Sequence, residues 1–156
     1  MKRRKGVIIA ICGLLVWAGL FIFSGCTEKE KEAGGNKEIV WSHSVDEALA
    51  EAAESGKPLM IDFMATWYPP CKKMEDSTFV DKRVIEKSGS FHTVRIDVDK
   101  QEEVAKKYNG NASKYGGIGI PNLLFLDSNG EKIAHPVGYK SPDQLIALMD
   151  SVLAVQ

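Results

Sequence analysis

The most restrictive feature of the sequence is the run from Leu59 to Ala65 (LMIDFMA), in which every residue except Asp62 is apolar. A half-exposed strand would alternate polar and apolar side chains, so an unbroken apolar run of this length predicts a strand that is covered on both faces. Helices are then expected on both sides of the sheet. The sequence therefore predicts an α/β fold.

The rest of the segment from residue 39 to residue 156 supplies strand and helix patterns in alternation. Ser44 and Ser141 each stand at capping-box spacing before a helical pattern, and residues 127–130 (DSNG) are a strong turn signal. The Gly- and Asn-rich residues 109–119 predict a loop with one helical turn at 112–115. The predicted strands are residues 39–41, 59–65, 91–98, 122–126 and 131–137, and the predicted helices are residues 44–55, 70–79, 80–87, 101–108 and 142–153.

The amino terminus has the pattern of an export signal. Four cationic residues at positions 2–5 precede a 17-residue apolar run from Val7 to Phe23. The positive charge stays in the cytoplasm while the apolar segment enters the bilayer, so the rest of the chain is expected outside the cytoplasm. A helix of this length reaches about 25 Å, which leaves open whether the segment is cleaved or remains as an anchor.

The end of this run, residues 23–26 (FSGC), resembles the lipobox of bacterial lipoproteins. The resemblance implies that Cys26 becomes the lipid-modified first residue, although Phe23 departs from the usual aliphatic residue. The alternative is an uncleaved anchor helix that ends in a cysteine, and either one tethers the protein to a membrane. The expected organisation is a signal at 1–25, a flexible charged linker at 26–38 and one domain at 39–156, located in the periplasm or on the outer cell surface.

Charge and histidine placement exclude several classes of function. The chain of 156 residues has 20 Lys and Arg against 21 Asp and Glu, and without the four amino-terminal cations 16 remain, which gives a net charge of −5. Nucleic acid is therefore an unexpected partner. The three histidines, at 43, 92 and 135, stand apart from any Cys or carboxylate at metal-ligand spacing, so no metal and no other cofactor is expected.

Residues 62–72 (DFMATWYPPCK), with Gly119-Ile120-Pro121 about fifty residues later, resemble the thioredoxin family. The likeness covers residue 39 to the end and looks most like the extracytoplasmic thioredoxin-like domains of transmembrane disulfide reductases. It implies a thioredoxin-like fold: a central mixed sheet with helices on both faces, then a C-terminal hairpin and helix. The family's active site reads Trp-Cys-x-x-Cys, so Trp67 and Cys71 match while Tyr68 stands where the attacking cysteine belongs.

This substitution leaves a single candidate thiol. If Cys12 leaves with the signal and Cys26 is a thioether, Cys71 is the only free thiol of the mature protein. Intramolecular disulfide cycling needs two thiols, and a phenol replaces neither. Cys71 is therefore expected to exchange disulfides or sense redox state with a polypeptide partner that supplies the second thiol, as an atypical oxidoreductase. The alternative is a redox-silent module that binds extended peptides or partner proteins.

Two residues are candidates for the chemistry itself. Cys71 is expected in the first turn of a helix that begins near Pro70, where the helix dipole should lower its pKa. The alternative is a small, buried and inert side chain. Asp62 matches the family's buried carboxylate, so the resemblance implies that it stays protonated to raised pH and accepts a proton from Cys71. Alternatively, Asp62 only hydrogen-bonds to backbone or water.

Four further residues are the candidates for substrate binding. Pro121 matches the family's cis-proline, and a cis bond there would expose the Ile120 backbone for strand-like pairing with an extended peptide. The alternative is a trans-proline that simply begins a strand. Trp67 and Tyr68 would flank this groove as amphipathic contact surfaces. The expected occupant is a polypeptide segment.

Overall fold

The computed structural model describes residues 37–156, which form a four-stranded mixed sheet in the order β2-β1-β3-β4. Strand β1 pairs in parallel with β2 and antiparallel with β3, and β3 pairs antiparallel with β4. The mixed sheet expected from the sequence is confirmed. The strands are Leu59–Met64 (β1), His92–Asp97 (β2), Asn122–Leu126 (β3) and Lys132–Ala134 (β4).

Within residues 37–156, five helices and one short 3₁₀ turn surround the sheet. The predicted caps of the first and last helices are present, since the Ser44 side chain accepts from Glu47 N at 3.2 Å and Ser141 forms a capping box with Gln144. These contacts fix where the two helices begin. The helices are Val45–Ser55 (α1), Pro69–Ser77 (α2), Lys82–Ser88 (α3), Glu102–Lys107 (α4) and Pro142–Leu153 (α5), and the 3₁₀ turn is Ser113–Tyr115.

The core lies in two layers, one on each face of the sheet. On one face Ile61 and Phe63 of β1 join an apolar cluster to which α1 and α4 contribute, and on the other face Met60 joins the side chains of α2, α3 and α5. All six residues of β1 are buried. The continuous apolar run of the sequence therefore reflects a central strand with helices on both sides, as predicted.

The expected strand at residues 39–41 is wrong. The chain there makes only an isolated parallel bridge between Ser42 and Val94, with Ser42 N donating to Thr93 O at 2.9 Å. The reason is local: Ser44 N donates to Ser42 Oγ at 3.1 Å and Ser44 then caps α1, so the backbone turns away from β2 after one paired residue.

The predicted hairpin is present but its second strand is shorter than residues 131–137. Asp127 Oδ1 accepts from the backbone N–H groups of Asn129 and Glu131, each at 2.8 Å, which closes the turn. Strand β4 ends at Ala134, and pairing resumes only at an isolated bridge between Val137 and Asn122.

The expected signal at 1–25, Cys26 and the linker as far as residue 36 lie outside the described residues. Lys37 and Glu38, the last two linker positions, are exposed. No helix within residues 37–156 combines the length and the apolar character needed to cross a bilayer.

Candidate active site

Helix α2 carries Cys71 at its amino-terminal end, as the sequence predicts. Tyr68 is the residue before the helix, with an extended backbone, and Pro69 and Pro70 begin the first turn. Proline suits this position because it has no N–H that would need a partner. The first available N–H groups, those of Cys71 and Lys72, donate to Tyr68 O at 3.0 and 3.2 Å.

The Cys71 thiol is buried, with 4% of the residue exposed. Burial and, to a smaller extent, the nearby Asp62 charge raise its pKa from 9.0 to about 11, against the lowering effect of a hydrogen bond from the Ala65 backbone. The expectation that the helix dipole lowers this pKa is wrong, because the cost of desolvating a thiolate is larger. The thiol is therefore protonated at neutral pH.

Asp62, in the middle of β1, is the second predicted site residue, and it is 2% exposed. Burial raises the pKa of its carboxyl from 3.8 to about 6, against the lowering effect of the Arg95 charge and hydrogen bond. The expected raised pKa is confirmed. The carboxyl is nevertheless not alone, since Arg95 Nε donates to Oδ2 at 3.0 Å while Oδ1 has no hydrogen-bond partner among the described residues.

Arg95 is a site residue that the sequence analysis missed. Its guanidinium lies 4.3 Å from the ring centroid of Trp41 and 5.1 Å from that of Phe79, and its Nη1 donates to Glu75 Oε1 at 3.3 Å. A carboxylate in a central strand needs a partner, but only the register of β1 and β2, which places Arg95 directly opposite Asp62, shows which residue that partner is.

The Ile120–Pro121 peptide bond is cis, which confirms the expected geometry. Ile120 is buried in the same apolar cluster as Cys71, and Tyr68 packs against that cluster. Neither the N–H nor the C=O of Ile120 hydrogen-bonds to another described residue, whereas Pro121 O accepts from Gly138 N at 2.8 Å. The structure thus places Cys71 and Ile120 in one apolar cluster, with Tyr68 packed against it, and leaves the Ile120 backbone unpaired among the described residues.

Trp67 lies on the exposed side of this site. It is 46% exposed, and its ring meets the Tyr68 ring edge-on at 5.5 Å between centroids. Its indole Nε1 donates to Asp99 Oδ2, which fixes the plane of the ring. Trp67, Tyr68, Ile120 and Pro121 are called the groove residues, after the peptide groove that the sequence predicts at the cis bond.

Asn122, directly after the cis bond, is a second residue that the sequence analysis missed. It is fully buried, and its Nδ2 donates to Gly110 O at 2.9 Å and to Gly119 O at 2.7 Å. His135 Nε2 lies 2.8 Å from Asn122 Oδ1. An amide oxygen can only accept, so His135 donates this hydrogen bond. Asn122 therefore holds both ends of the loop at residues 109–119.

The three histidines have structural partners. His43 Nδ1 lies 3.0 Å from Arg95 O, His92 lies between Ser55 and Glu51, and His135 contacts Asn122. In the described part of the chain, no group of three or more His, Cys, Asp or Glu side chains is placed to hold a metal ion.

The family model of the thioredoxin-like domain matches residues 45–153, most of the chain. The chain belongs to the thioredoxin-like family. The match covers α1 to α5 and includes every groove residue, together with Asp62 and Cys71. The thioredoxin-like fold predicted from the sequence is confirmed.

Curated relatives of this chain include proteins named for thiol:disulfide interchange. The chain is 33% identical over 115 residues to the thiol:disulfide interchange protein DsbD of Citrobacter koseri, a match that covers 72% of this chain and 19% of the relative. Overall, the chain spans about a fifth of the length of the curated relatives it matches.

Two solved structures show the same fold. The DsbH oxidoreductase superimposes with a TM-score of 0.64 at 20% identity, covering 85% of this chain and 96% of that one. The C-terminal domain of Neisseria meningitidis DsbD, in its oxidised form, gives a TM-score of 0.55 at 22% identity, covering 72% and 98%. Since both identities are low, the likeness supports the architecture and not the chemistry.

Proposed function

We propose that this protein takes part in thiol-disulfide exchange outside the cytoplasm, with Cys71 as its reacting sulfur and a partner polypeptide supplying the second thiol. The observation that carries the proposal is the buried Asp62 carboxyl, which influences the pKa of the Cys71 thiol and keeps Oδ1 free of any hydrogen bond among the described residues. A free carboxylate oxygen can accept the thiol proton. The relationship to proteins named for thiol:disulfide interchange supports the same chemistry.

The reaction needs two exchanges because the chain lacks the attacking cysteine. In the first, Asp62 accepts the Cys71 proton and the thiolate attacks a partner disulfide, so that one S–S bond forms, another breaks and one partner thiolate leaves. In the second, a thiolate from the same or another partner attacks the mixed disulfide and releases Cys71, which recovers its proton. Tyr68 takes no part in the electron transfer.

Burial makes this exchange slow. With a pKa of about 11, roughly one Cys71 thiol in ten thousand is ionised at pH 7. Docking of a partner against the groove residues compensates in part, because it holds the partner disulfide close to the sulfur. We therefore expect a reaction that depends on the partner being bound first.

A second candidate function is peptide binding without redox chemistry. Two observations favour it: Cys71 is 4% exposed, and the unpaired Ile120 backbone offers a donor and an acceptor to an extended segment. Both functions use the same groove, so peptide binding alone does not separate them.

The proposal includes a membrane tether through Cys26 or the amino-terminal helix, which rests on the charge and apolar pattern of residues 2–26. The expected result is that the wild-type protein sediments with membranes. The mass of the membrane-bound protein then separates the two anchors, because a lipid anchor removes residues 1–25 and adds acyl chains to Cys26, whereas a helix anchor leaves the full-length mass.

Adduct formation tests the main proposal. Full-length protein in mild detergent, with Cys12 and Cys26 both replaced by serine, is incubated with a peptide whose cysteine carries a chromogenic thiol as a mixed disulfide, with and without the further change Cys71→Ser. We expect chromophore release and a one-to-one peptide adduct when Cys71 is present, and neither when it is replaced. Peptide binding to both proteins without any adduct would support the second candidate instead.

Replacing Tyr68 tests whether the scaffold still supports dithiol chemistry. Tyr68→Cys restores a Cys-x-x-Cys pair, and we expect it to reduce a protein disulfide catalytically in the presence of a dithiol reductant. Tyr68→Ser is the matched control, since it removes the ring without adding sulfur. A folded Tyr68→Cys variant as inactive as Tyr68→Ser would contradict the assignment of this site.

A further inference from the structure

The loop at residues 109–119 adds a further aromatic ring beside the groove. Its 3₁₀ turn presents Tyr115, whose hydroxyl donates to Asp99 Oδ1 at 3.1 Å, while Asp99 Oδ2 accepts from Trp67 Nε1. One carboxylate therefore fixes both rings. Each of the two aromatic residues still has 46% of its surface exposed.

A lysine lies on these two rings. Lys114 Nζ is 3.9 Å from the ring centroid of Trp67 and 4.5 Å from that of Tyr115. Contact with two ring faces holds the ammonium in place. Trp67, Lys114 and Tyr115 are together called the aromatic-lysine patch.

The carboxylates beside this patch are already engaged. Asp99 and Glu102 line the same cavity of about 350 Å³, but Asp99 accepts two side-chain hydrogen bonds and Glu102 pairs with Lys106 at 2.9 Å. Within residues 37–156, Lys114 forms no ion pair with a carboxylate. Its ammonium can therefore form a direct ion pair with an anion from another molecule, while the charge of Asp99 stays nearby because its two donors are neutral.

The patch has a fixed position next to the groove. Asn122 binds the carbonyl groups of Gly110 and Gly119, and Gly119 N donates to Asn111 O at 3.1 Å. A Cβ on Gly117 would lie 2.1 Å from Asn111 O, so the loop folds closely on itself. Because Gly119 leads directly into the cis bond, the place of Lys114 relative to the groove is set by the fold.

We propose that Lys114 binds a carboxylate side chain of the partner segment that occupies the groove, so the preferred partner segment is acidic. The inference rests on the proposed function only in using the same groove. Charge complementarity supplies the choice of an acidic side chain, and the exposed rings of Trp67 and Tyr115 supply apolar contact around it. The thiol chemistry of Cys71 is not needed for this contact.

Peptides that differ in one charge test the proposal. The probes are fluorescein-labelled peptides of nine residues that contain no cysteine and have Ser at the central position. In each peptide one of the other eight positions carries Glu, Gln or Lys, and the series covers these positions in turn. Their binding to full-length Cys71→Ser protein is measured by fluorescence anisotropy. At the best position we expect Glu to bind about two- to five-fold more tightly than Gln, as for one exposed ion pair.

Variants of Lys114 complete the test. Lys114→Gln should abolish the preference for Glu, and Lys114→Glu should reverse it in favour of Lys. Lys82→Gln, on the exposed face of α3, is the matched control and should keep the preference. Equal binding of the Glu and Gln peptides, a preference that survives Lys114→Gln, or no binding by any probe at millimolar concentration would each overturn the proposal.

These outcomes are independent of the exchange reaction. The binding experiments use Cys71→Ser protein, which lacks the Cys71 sulfur. A loss of the charge preference therefore says nothing against adduct formation by the wild type. Conversely, a protein that forms no adduct but prefers the Glu peptide retains the acidic-segment specificity and loses only the redox assignment.

Discussion

At the scale of single residues, the protonation of Cys71 follows from what surrounds the first turn of α2. The first two positions of that helix are Pro69 and Pro70, which have no N–H, and the next two N–H groups donate to Tyr68 O. The dipole effect at a helix N-terminus comes largely from free N–H groups, so little of it reaches the sulfur. Desolvation then dominates, and the thiol is held in its neutral form.

The pH dependence of alkylation measures this balance. We expect the Cys71 thiol of the folded protein to react with iodoacetamide at a rate that still rises above pH 9, because its pKa is about 11 against an ordinary value of 9.0. Near neutral pH, the two-unit difference alone makes the folded protein about 100-fold slower than the same protein in denaturant. A midpoint below pH 9 in the folded state would contradict the desolvation argument.

At the scale of elements, α1 and α5 are fixed by their amino-terminal caps. Ser141 accepts from Gln144 N at 3.3 Å, and the Gln144 side chain accepts from Ser141 N at 2.9 Å. Leu145, Met149 and Val152 of α5 then pack in the core. The cap sets the start of the helix and so the face that these side chains present.

Removal of this cap should destabilise the protein measurably. We expect Ser141→Ala to cost about 1 kcal/mol of unfolding free energy and about 5 °C in Tm, because the Gln144 N–H loses the Ser141 hydroxyl as its partner. Ser151→Ala, near the other end of α5, is the control and should stay within about 0.5 kcal/mol of the wild type in urea denaturation. Equal losses for the two variants would show that the capping box does not stabilise α5.

Elements defined by local signals were predictable from the sequence, and elements defined by tertiary pairing were not. The caps at Ser44 and Ser141 gave the starts of α1 and α5 because capping depends on neighbours a few residues away. The strand expected at residues 39–41 failed because its pairing depends on how the chain turns at Ser42. The position of Cys71 at the start of α2 was predictable because it depends on the neighbouring prolines. The role of Arg95 required the strand register, and that of Asn122 required the fold of a distant loop.

At the scale of the whole molecule, Asp62 connects three elements through one buried charge network. Arg95 of β2 binds Asp62 of β1 and reaches Glu75 of α2. The guanidinium offsets only part of the cost of burying the carboxylate, so the pKa of Asp62 remains raised at about 6. The folded state therefore binds the Asp62 proton more tightly than the unfolded chain does, and the stability of the molecule varies with pH at this point.

The sign and size of this variation can be predicted. The stabilising effect of protonated Asp62 is complete below pH 3.8 and is lost as the pH rises through about 6, a difference of about 2 units or roughly 3 kcal/mol. In Asp62→Asn this loss should disappear, so its unfolding free energy relative to wild type should improve from pH 4 to about pH 6 and then level off towards pH 7. The unpaired Arg95 adds an offset that is the same at every pH in this range. Asp127→Asn is the control, because hydrogen bonds lower the pKa of Asp127, so this variant should not gain stability relative to wild type as the pH rises. Denaturant titrations in which the stability difference between wild type and Asp62→Asn stays constant from pH 4 to pH 7 would show that folding does not raise the pKa of Asp62, and would leave the Cys71 thiol without a proton acceptor of raised pKa.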